Sequence, residues 1–182
     1  MNSVYKKVSP GLYIGNAVAA SDVQFLSEEN ITFAINLTGE QSPLVEDMIT
    51  YDYSLPNNEL LESEYFRVIT KLRKISNDID NARSRGANIL IYETNCKNKA
   101  PLVAGYHLTL AGNNPNTVIK QLETIFYTNN QREEAAEYNK RLASGDMNMS
   151  TDEYTDALKK KNQRESIRCL TLVTFRKIIG RA

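Results

Sequence analysis

The sequence is poor in several residue types, and each shortage excludes a class of protein. Two cysteines, Cys96 and Cys169, are too few for a disulfide framework, so a reducing compartment is expected. The single histidine, His107, excludes a zinc site built from several histidines. No window approaches the roughly 20 apolar residues of a membrane span, and the N-terminus has no apolar run typical of a signal peptide. We therefore expect a cytoplasmic or nuclear protein without membrane association.

Net charge is also missing, because 22 Lys and Arg residues balance 22 Asp and Glu residues. Without a global field the chain has no general attraction to nucleic acid or membrane, and we expect neither as a partner. Recognition of a phosphate group would need a local cluster of cations. What is present, 41% hydrophobic and 24% charged residues over 182 positions, is typical of one globular domain spanning residues 1–182.

Hydrophobic periodicity predicts strands alternating with helices. The predicted strands are residues 4–8, 12–14, 33–37, 51–55 and 89–92, and the predicted helices are 20–29, 62–83, 101–111 and 116–127. The alternation predicts an α/β fold, a mostly parallel central sheet of about five strands with helices on both faces. In the first helix we expect Val23, Phe25 and Leu26 to face inward, and in the second we expect Tyr65 and Phe66 in the core.

A change of composition marks residues 128–166, where polar and charged residues dominate. Ser150 and Glu153 form a capping-box pattern, which predicts a helix from Thr151 and a charged helical insertion. The insertion is a candidate partner-binding surface, and an inert excursion is the alternative. The apolar stretch 169–179 that follows is expected to dock onto the core.

The segment Glu93-Thr-Asn-Cys-Lys-Asn-Lys joins the predicted central strand to a helix. At such a junction the free N–H groups of the helix N-terminus carry a partial positive charge and attract anions. This loop is therefore the candidate functional site of the chain.

The residues around this loop resemble the signature of the dual-specificity protein phosphatases. Ile89-Leu-Ile-Tyr-Glu-Thr-Asn-Cys-Lys-Asn-Lys-Ala-Pro-Leu-Val-Ala-Gly-Tyr-His-Leu is similar to that family's apolar strand, its His-Cys-x-x-Gly-x-x-Arg-Ser loop and the helix after it. Upstream, Val8-Ser-Pro-Gly-Leu-Tyr-Ile-Gly-Asn and Ile31-Thr-Phe-Ala-Ile-Asn-Leu-Thr resemble its early strands, and Cys169-Leu-Thr-Leu-Val-Thr-Phe-Arg-Lys resembles its closing helix. The resemblance covers residues about 4 to 127 and about 168 to 180.

Matched residue by residue, the chain departs from the family at every chemical position of the loop. Glu93 stands in place of the nucleophilic cysteine, and Lys99 stands in place of the phosphate-binding arginine. Tyr92 replaces the preceding histidine, Cys96 the loop glycine and Ala100 the hydroxyl residue. The resemblance thus implies a degenerate site in which no residue is catalytic.

Each of these replacements has a physical consequence. A carboxylate at Glu93 is a poor nucleophile toward a phosphate monoester, and it repels the substrate by roughly 4 kcal/mol at ~4 Å and an effective dielectric of ~20. The N–H groups that would hold a phosphate can bind the Glu93 side chain instead. Lys99 lacks the planar fork of arginine, and Cys96 strains a turn that suits glycine.

The same residues permit other interpretations, which we weighed against simple structural roles. Lys97 and Lys99 are candidate phosphate-binding residues, or they neutralise Glu93. Cys96 as a displaced nucleophile is disfavoured because Leu102, and no arginine, lies six residues on. His107 is interpreted as a surface or packing histidine. Glu59 falls near the family's general acid, but without a nucleophile it is interpreted as a solvated carboxylate.

Three hypotheses about function follow from the resemblance. The first is a catalytically inactive pseudophosphatase that binds a protein partner, such as a phosphoprotein or another component of a kinase or phosphatase pathway. The second is a phosphate- or phosphopeptide-binding module that uses Lys97 and Lys99. The third, an active phosphatase with unusual residues, conflicts with the replacements above. None of the three calls for a cofactor or a metal.

Overall fold

The computed structural model describes residues 3–56, 65–94, 96 and 99–126. Glu59, Lys97, the 128–166 insertion and the 169–179 stretch lie outside these residues, so their predicted roles stay predictions.

The core of the fold is a five-stranded sheet with the order β1-β2-β5-β3-β4. The strands are β1 (Tyr5–Ser9), β2 (Leu12–Asn16), β3 (Ile31–Asn36), β4 (Ile49–Asp52) and β5 (Asn88–Glu93). Strands β2, β5, β3 and β4 run parallel, and β1 pairs with β2 in the antiparallel sense. The predicted α/β fold with a mostly parallel sheet is confirmed.

The prediction for β4 was wrong in position, since residues 51–55 were predicted and Ile49–Asp52 form the strand. The backbone N–H of Tyr53 still donates to the carbonyl of Asn36, at 2.8 Å, but the chain then leaves the sheet. Leu55 is buried in the loop beyond, with 4% of its surface exposed. Leu55 was assigned to a strand because it is apolar, but a core can also bury apolar residues from a connecting segment.

Local capping sets where the helices begin. A 3₁₀ turn (Ala19–Ser21) precedes α1 (Val23–Glu28), and the carboxylate of Asp22 accepts from the Phe25 N–H at 3.2 Å as the N-cap. The longer helices are α2 (Tyr65–Ser84), α3 (Lys99–Leu110) and α4 (Pro115–Phe126). Helix α3 thus begins two residues before Pro101, which occupies the first turn, where its missing N–H costs nothing.

Side chains alternate between the two faces of the sheet and build a core on each. On one face Ile35, Ile89 and Ile91 pack with Leu72 of α2 and Val103 of α3. On the other, strand residues including Tyr13, Ala34 and Leu90 pack with Phe25 and Leu26 of α1. Helices therefore cover both faces, as predicted.

Two side chains expected in the core lie outside it. Val23 is 69% exposed and Phe66 is 79% exposed. Each precedes the first buried residue of its helix, Phe25 or Val68, by two positions, which is about 200° around the helix axis. Both therefore face solvent. The side chain of Tyr65 lies outside the described residues.

A buried polar pair joins α2 to α3. Ser76 Oγ and His107 Nδ1 lie 2.9 Å apart, and each residue is 2% exposed. His107 is thus a packing histidine. Burial lowers its pKa below the ordinary value of 6.5; the charge of Asp80 opposes this shift and that of Arg83 reinforces it.

We predict that the stability of the protein falls as the pH drops below about 6.5. The unfolded chain then binds a proton on His107 more readily than the folded chain does. The contribution of neutral His107 to stability is therefore complete above its pKa in the unfolded chain, and it is lost as the pH falls toward its pKa in the folded chain. No other histidine is present to confuse the measurement. Thermal unfolding at about pH 7.5 and about pH 5.5 should show the loss, and His107→Gln should lessen it. An equal loss in the variant would contradict the assignment.

Candidate anion-binding loop at the carboxyl edge of the sheet

The four parallel strands end at one edge of the sheet, and each ends in a polar residue. These residues are Asn16, Asn36, Asp52 and Glu93. Three of them are buried, with Asn16 3%, Asn36 1% and Glu93 5% exposed. Ligands of open α/β sheets bind at this edge, where strands lead into helix N-termini.

The loop after β5 brings Glu93 against the start of α3. Because α3 begins at Lys99, Ala100 lies in the first turn, where backbone N–H groups lack partners within the helix. The Ala100 N–H donates to Glu93 Oε1 at 3.2 Å, and the contact is buried. The carboxylate therefore lies at the positive end of the helix dipole, in the position that a bound anion would occupy.

Lys99, which the sequence resemblance matches to the family's arginine, contacts the loop that follows β3. Its Nζ donates to the backbone carbonyl of Leu37 at 3.2 Å, and its side chain is half-buried. An ammonium group has three N–H donors but lacks the planar pair of donors of a guanidinium group, so it binds a carbonyl as readily as an anion. The structure thus gives this cation a structural contact across the edge of the sheet.

Cys96 combines an unusual backbone with a buried thiol. Its φ is 58°, in the left-handed region that side chains disfavour, and the residue is 2% exposed. Burial raises the pKa of the thiol to about 12, and the nearby charge of Glu93 adds to the rise while that of Lys6 opposes it. The thiol is therefore protonated at neutral pH, whereas a nucleophilic cysteine must be a thiolate.

Tyr92 points to the opposite face of the sheet from Glu93, where it contacts the loop after β3. Its hydroxyl donates to Ser42 Oγ at 3.2 Å, and burial raises its pKa. Ser42 Oγ in turn donates to Asp52 Oδ1 at 2.5 Å, and Asn36 Nδ2 donates to the same oxygen at 2.7 Å. The Tyr92 hydroxyl is thus part of a hydrogen-bond network that fixes the loop between β3 and β4.

The structure brings together most of the residues that the sequence singled out. Tyr92, Glu93, Cys96, Lys99 and Ala100 all lie at this edge. Sequence reasoning missed Asn36, Ser42 and Asp52. The predicted strands 33–37 and 51–55 placed Asn36 and Asp52 inside strands, whereas both end strands in the structure. In the described part of the chain, no group of three or more His, Cys, Asp or Glu side chains is placed to hold a metal ion. Nor is any helix within these ranges long and apolar enough to cross a membrane.

The order of strands, the loop between β5 and α3 and the antiparallel first strand define the fold of the dual-specificity phosphatases. Human DUSP28 superposes with a TM-score of 0.61 at 16% identity, covering 69% of this chain and 83% of that one. DUSP15 gives 0.58 at 19% identity, covering 90% and 94%. The human tyrosine phosphatase-like serine/threonine/tyrosine-interacting protein gives 0.57 at 14% identity, covering 74% and 97%.

Neither a protein-family model nor a curated protein matches this chain by sequence. The relationship is therefore one of fold, and the chemistry depends on the residues of the loop itself.

We predict that Cys96 reacts very slowly with a thiol reagent in the folded protein. In a Cys169→Ser background Cys96 is the sole thiol. With a pKa of about 12 it is less than roughly one part in a thousand thiolate at neutral pH. Ellman's reagent should modify it at least ~100-fold faster in denaturant than in buffer. Equal rates in the two conditions would show that the thiol is accessible and would contradict the structure.

Proposed function

We propose that this protein is a catalytically inactive pseudophosphatase that acts as a protein-interaction module in the cytoplasm or nucleus. Its expected partner is a phosphoprotein or another component of a kinase or phosphatase pathway. The observation that carries the proposal is the hydrogen bond from the Ala100 N–H to the Glu93 carboxylate, which fills the anion position from within.

The first step in the argument is the missing nucleophile. The family's reaction begins with a thiolate attacking phosphorus, and that thiolate is stabilised by N–H groups and a cation. Here the group at the helix N-terminus is the carboxylate of Glu93. The thiol of Cys96 in the same loop is buried and has a pKa raised to about 12, so it does not supply the missing thiolate.

The second step is the missing phosphate clamp. The Lys99 ammonium group donates to the Leu37 carbonyl, and the Ala100 N–H donates to Glu93, so two groups that would bind a phosphate have internal partners. A phosphate would have to displace both contacts and also approach a carboxylate. This combination favours an interaction module over an active phosphatase.

The second candidate is a phosphate- or phosphopeptide-binding module. The N-terminus of α3 and Lys99 favour it, because a change of side-chain position at Glu93 would expose donors that suit an anion. In the structure the carboxylate occupies those donors, so this candidate has less support than the first.

We predict that the purified protein hydrolyses para-nitrophenyl phosphate no faster than buffer, and that Glu93→Ala does not change this rate. The physical reason is the missing thiolate, whose loss alone typically costs several orders of magnitude in rate. Release of para-nitrophenolate measures the outcome. Hydrolysis well above buffer that Glu93→Ala abolishes would show that the protein is an enzyme.

A combined variant tests the scaffold in the same assay. The variant combines Glu93→Cys, Cys96→Gly and Lys99→Arg. These changes introduce the family's nucleophilic cysteine, its loop glycine and its phosphate-binding arginine. A gain in hydrolysis that is lost when residue 93 is changed to serine instead would show that the fold still supports the reaction.

We predict that the wild-type protein binds sulfate or a phosphotyrosine peptide more weakly than millimolar. Glu93→Ala removes the like charge and frees the Ala100 N–H, so binding should tighten at least ~10-fold. Glu46→Ala, which removes an exposed carboxylate elsewhere, is the matched control and should have little effect. Calorimetric titration distinguishes the candidates, because submillimolar binding by the wild type would favour the phosphate-binding module.

A further inference from the structure

Within the described residues, no strand pairs with the outer edge of β4. Strand β4 ends the order of the sheet, and the Tyr53 N–H that follows it donates to Asn36 of β3. Because successive residues of a strand direct their backbone groups to opposite sides, the N–H and C=O of Thr50 and Asp52 point away from β3. Strand β4 has neither the proline nor the lysine that commonly protects an edge, so an extended peptide can pair with it.

A groove lies beside this edge, between β4 and α2. Its volume is about 260 Å³, and its apolar lining includes Phe33, Ile49, Tyr51 and Ala82. The rings of Phe33 and Tyr51 meet edge to face at 5.0 Å, while Ile49 is 56% exposed and Tyr51 is 44% exposed. Small-molecule sites usually enclose ~300–1,000 Å³, so this groove suits one or two side chains of a peptide.

The segment that contains β4 and the loop before it is acidic although the chain as a whole is neutral. Residues 38–52 contain no Lys or Arg and four exposed carboxylates, Glu40, Glu46, Asp47 and Asp52. Asp47, Asp78 and Arg85 line the groove itself, two carboxylates against one cation, and the carboxylate of Asp78 is hydrogen-bonded to the hydroxyl of Tyr53. The same segment carries Leu44, which is 98% exposed. A partner with positive charge and apolar side chains would complement this surface.

We propose that the groove is the docking site for an extended, basic and apolar segment of a partner protein. The segment pairs with β4 as an added strand, places an apolar side chain against Tyr51 and Ala82, and places a Lys or Arg beside Asp47. A second copy of this chain fits less well, because antiparallel pairing of two β4 strands would place Asp47 of each copy near Asp52 of the other, and like charges across strands are destabilising. The surface is separate from the loop between β5 and α3, so this proposal extends the interaction role and does not depend on the loop being inactive.

A displayed library of random peptides, selected on the full-length protein, tests the docking site. The enriched peptides should alternate apolar residues with Lys or Arg. Synthetic versions of these peptides should bind at least ~10-fold more weakly to Ile49→Lys and at least ~3-fold more weakly to Asp47→Asn. Fluorescence anisotropy measures the binding. Asparagine is chosen because the φ of Asp47 is 60°, a conformation that asparagine tolerates.

Matched controls separate docking from general effects. Val23→Lys makes the same kind of change at a residue that is 69% exposed on the other face of the sheet, and it should alter binding less than ~2-fold. Unchanged thermal unfolding of each variant shows that it is folded. Glu93→Ala should leave binding of these peptides unchanged. The docking proposal and the proposal of an inactive loop can therefore be refuted separately.

Several results would overturn the proposal. They are the absence of enriched peptides, enrichment of acidic peptides, or equal binding to Ile49→Lys. Sedimentation showing a dimer that Ile49→Lys dissociates would instead assign the groove to a second copy of this chain.

Discussion

The carboxylate of Glu93 at the N-terminus of α3 is the contact on which the rest of the site depends. A helix that begins at the carboxyl edge of a parallel sheet presents N–H groups that need acceptors, and burial makes an unfilled donor costly. A phosphatase of this fold leaves that position to its substrate. Here the strand that leads into the loop supplies the acceptor from its own last residue, and the Ala100 N–H is satisfied without a ligand.

Other features of the site are consistent with that internal acceptor. The charge of Glu93 adds to the burial that raises the pKa of Cys96, so the thiol in this loop is protonated. Lys99 and Tyr92, which the sequence resemblance matches to the family's arginine and histidine, both contact the segment after β3, through the Leu37 carbonyl and Ser42 Oγ. Positions that serve phosphate chemistry in the family therefore have structural contacts in this chain.

The proposed groove beside β4 lies at the far end of the segment after β3. Residues 37–48 run from the contact with Lys99 to the start of β4, and Ser42 within them is hydrogen-bonded to Asn36 and Asp52, the last residues of β3 and β4. The acidic and apolar side chains of the segment are thus presented on a loop that is anchored at Ser42. A preorganised surface loses less conformational entropy when a partner binds.

The amino-acid sequence by itself determined the fold class, the strand β5 and the place of the loop after it, because these depend on local periodicity within one segment. The match of Glu93 to the family's nucleophile rests on the resemblance and stays a prediction. It also indicated that Glu93 could fill its own anion site. Only the tertiary structure decided that Val23 and Phe66 face solvent, that β4 begins at Ile49, and that Lys99 and Tyr92 contact the loop after β3. Those outcomes depend on which elements pack together, and contacts between residues 50 or 62 positions apart leave no periodic signal in the chain.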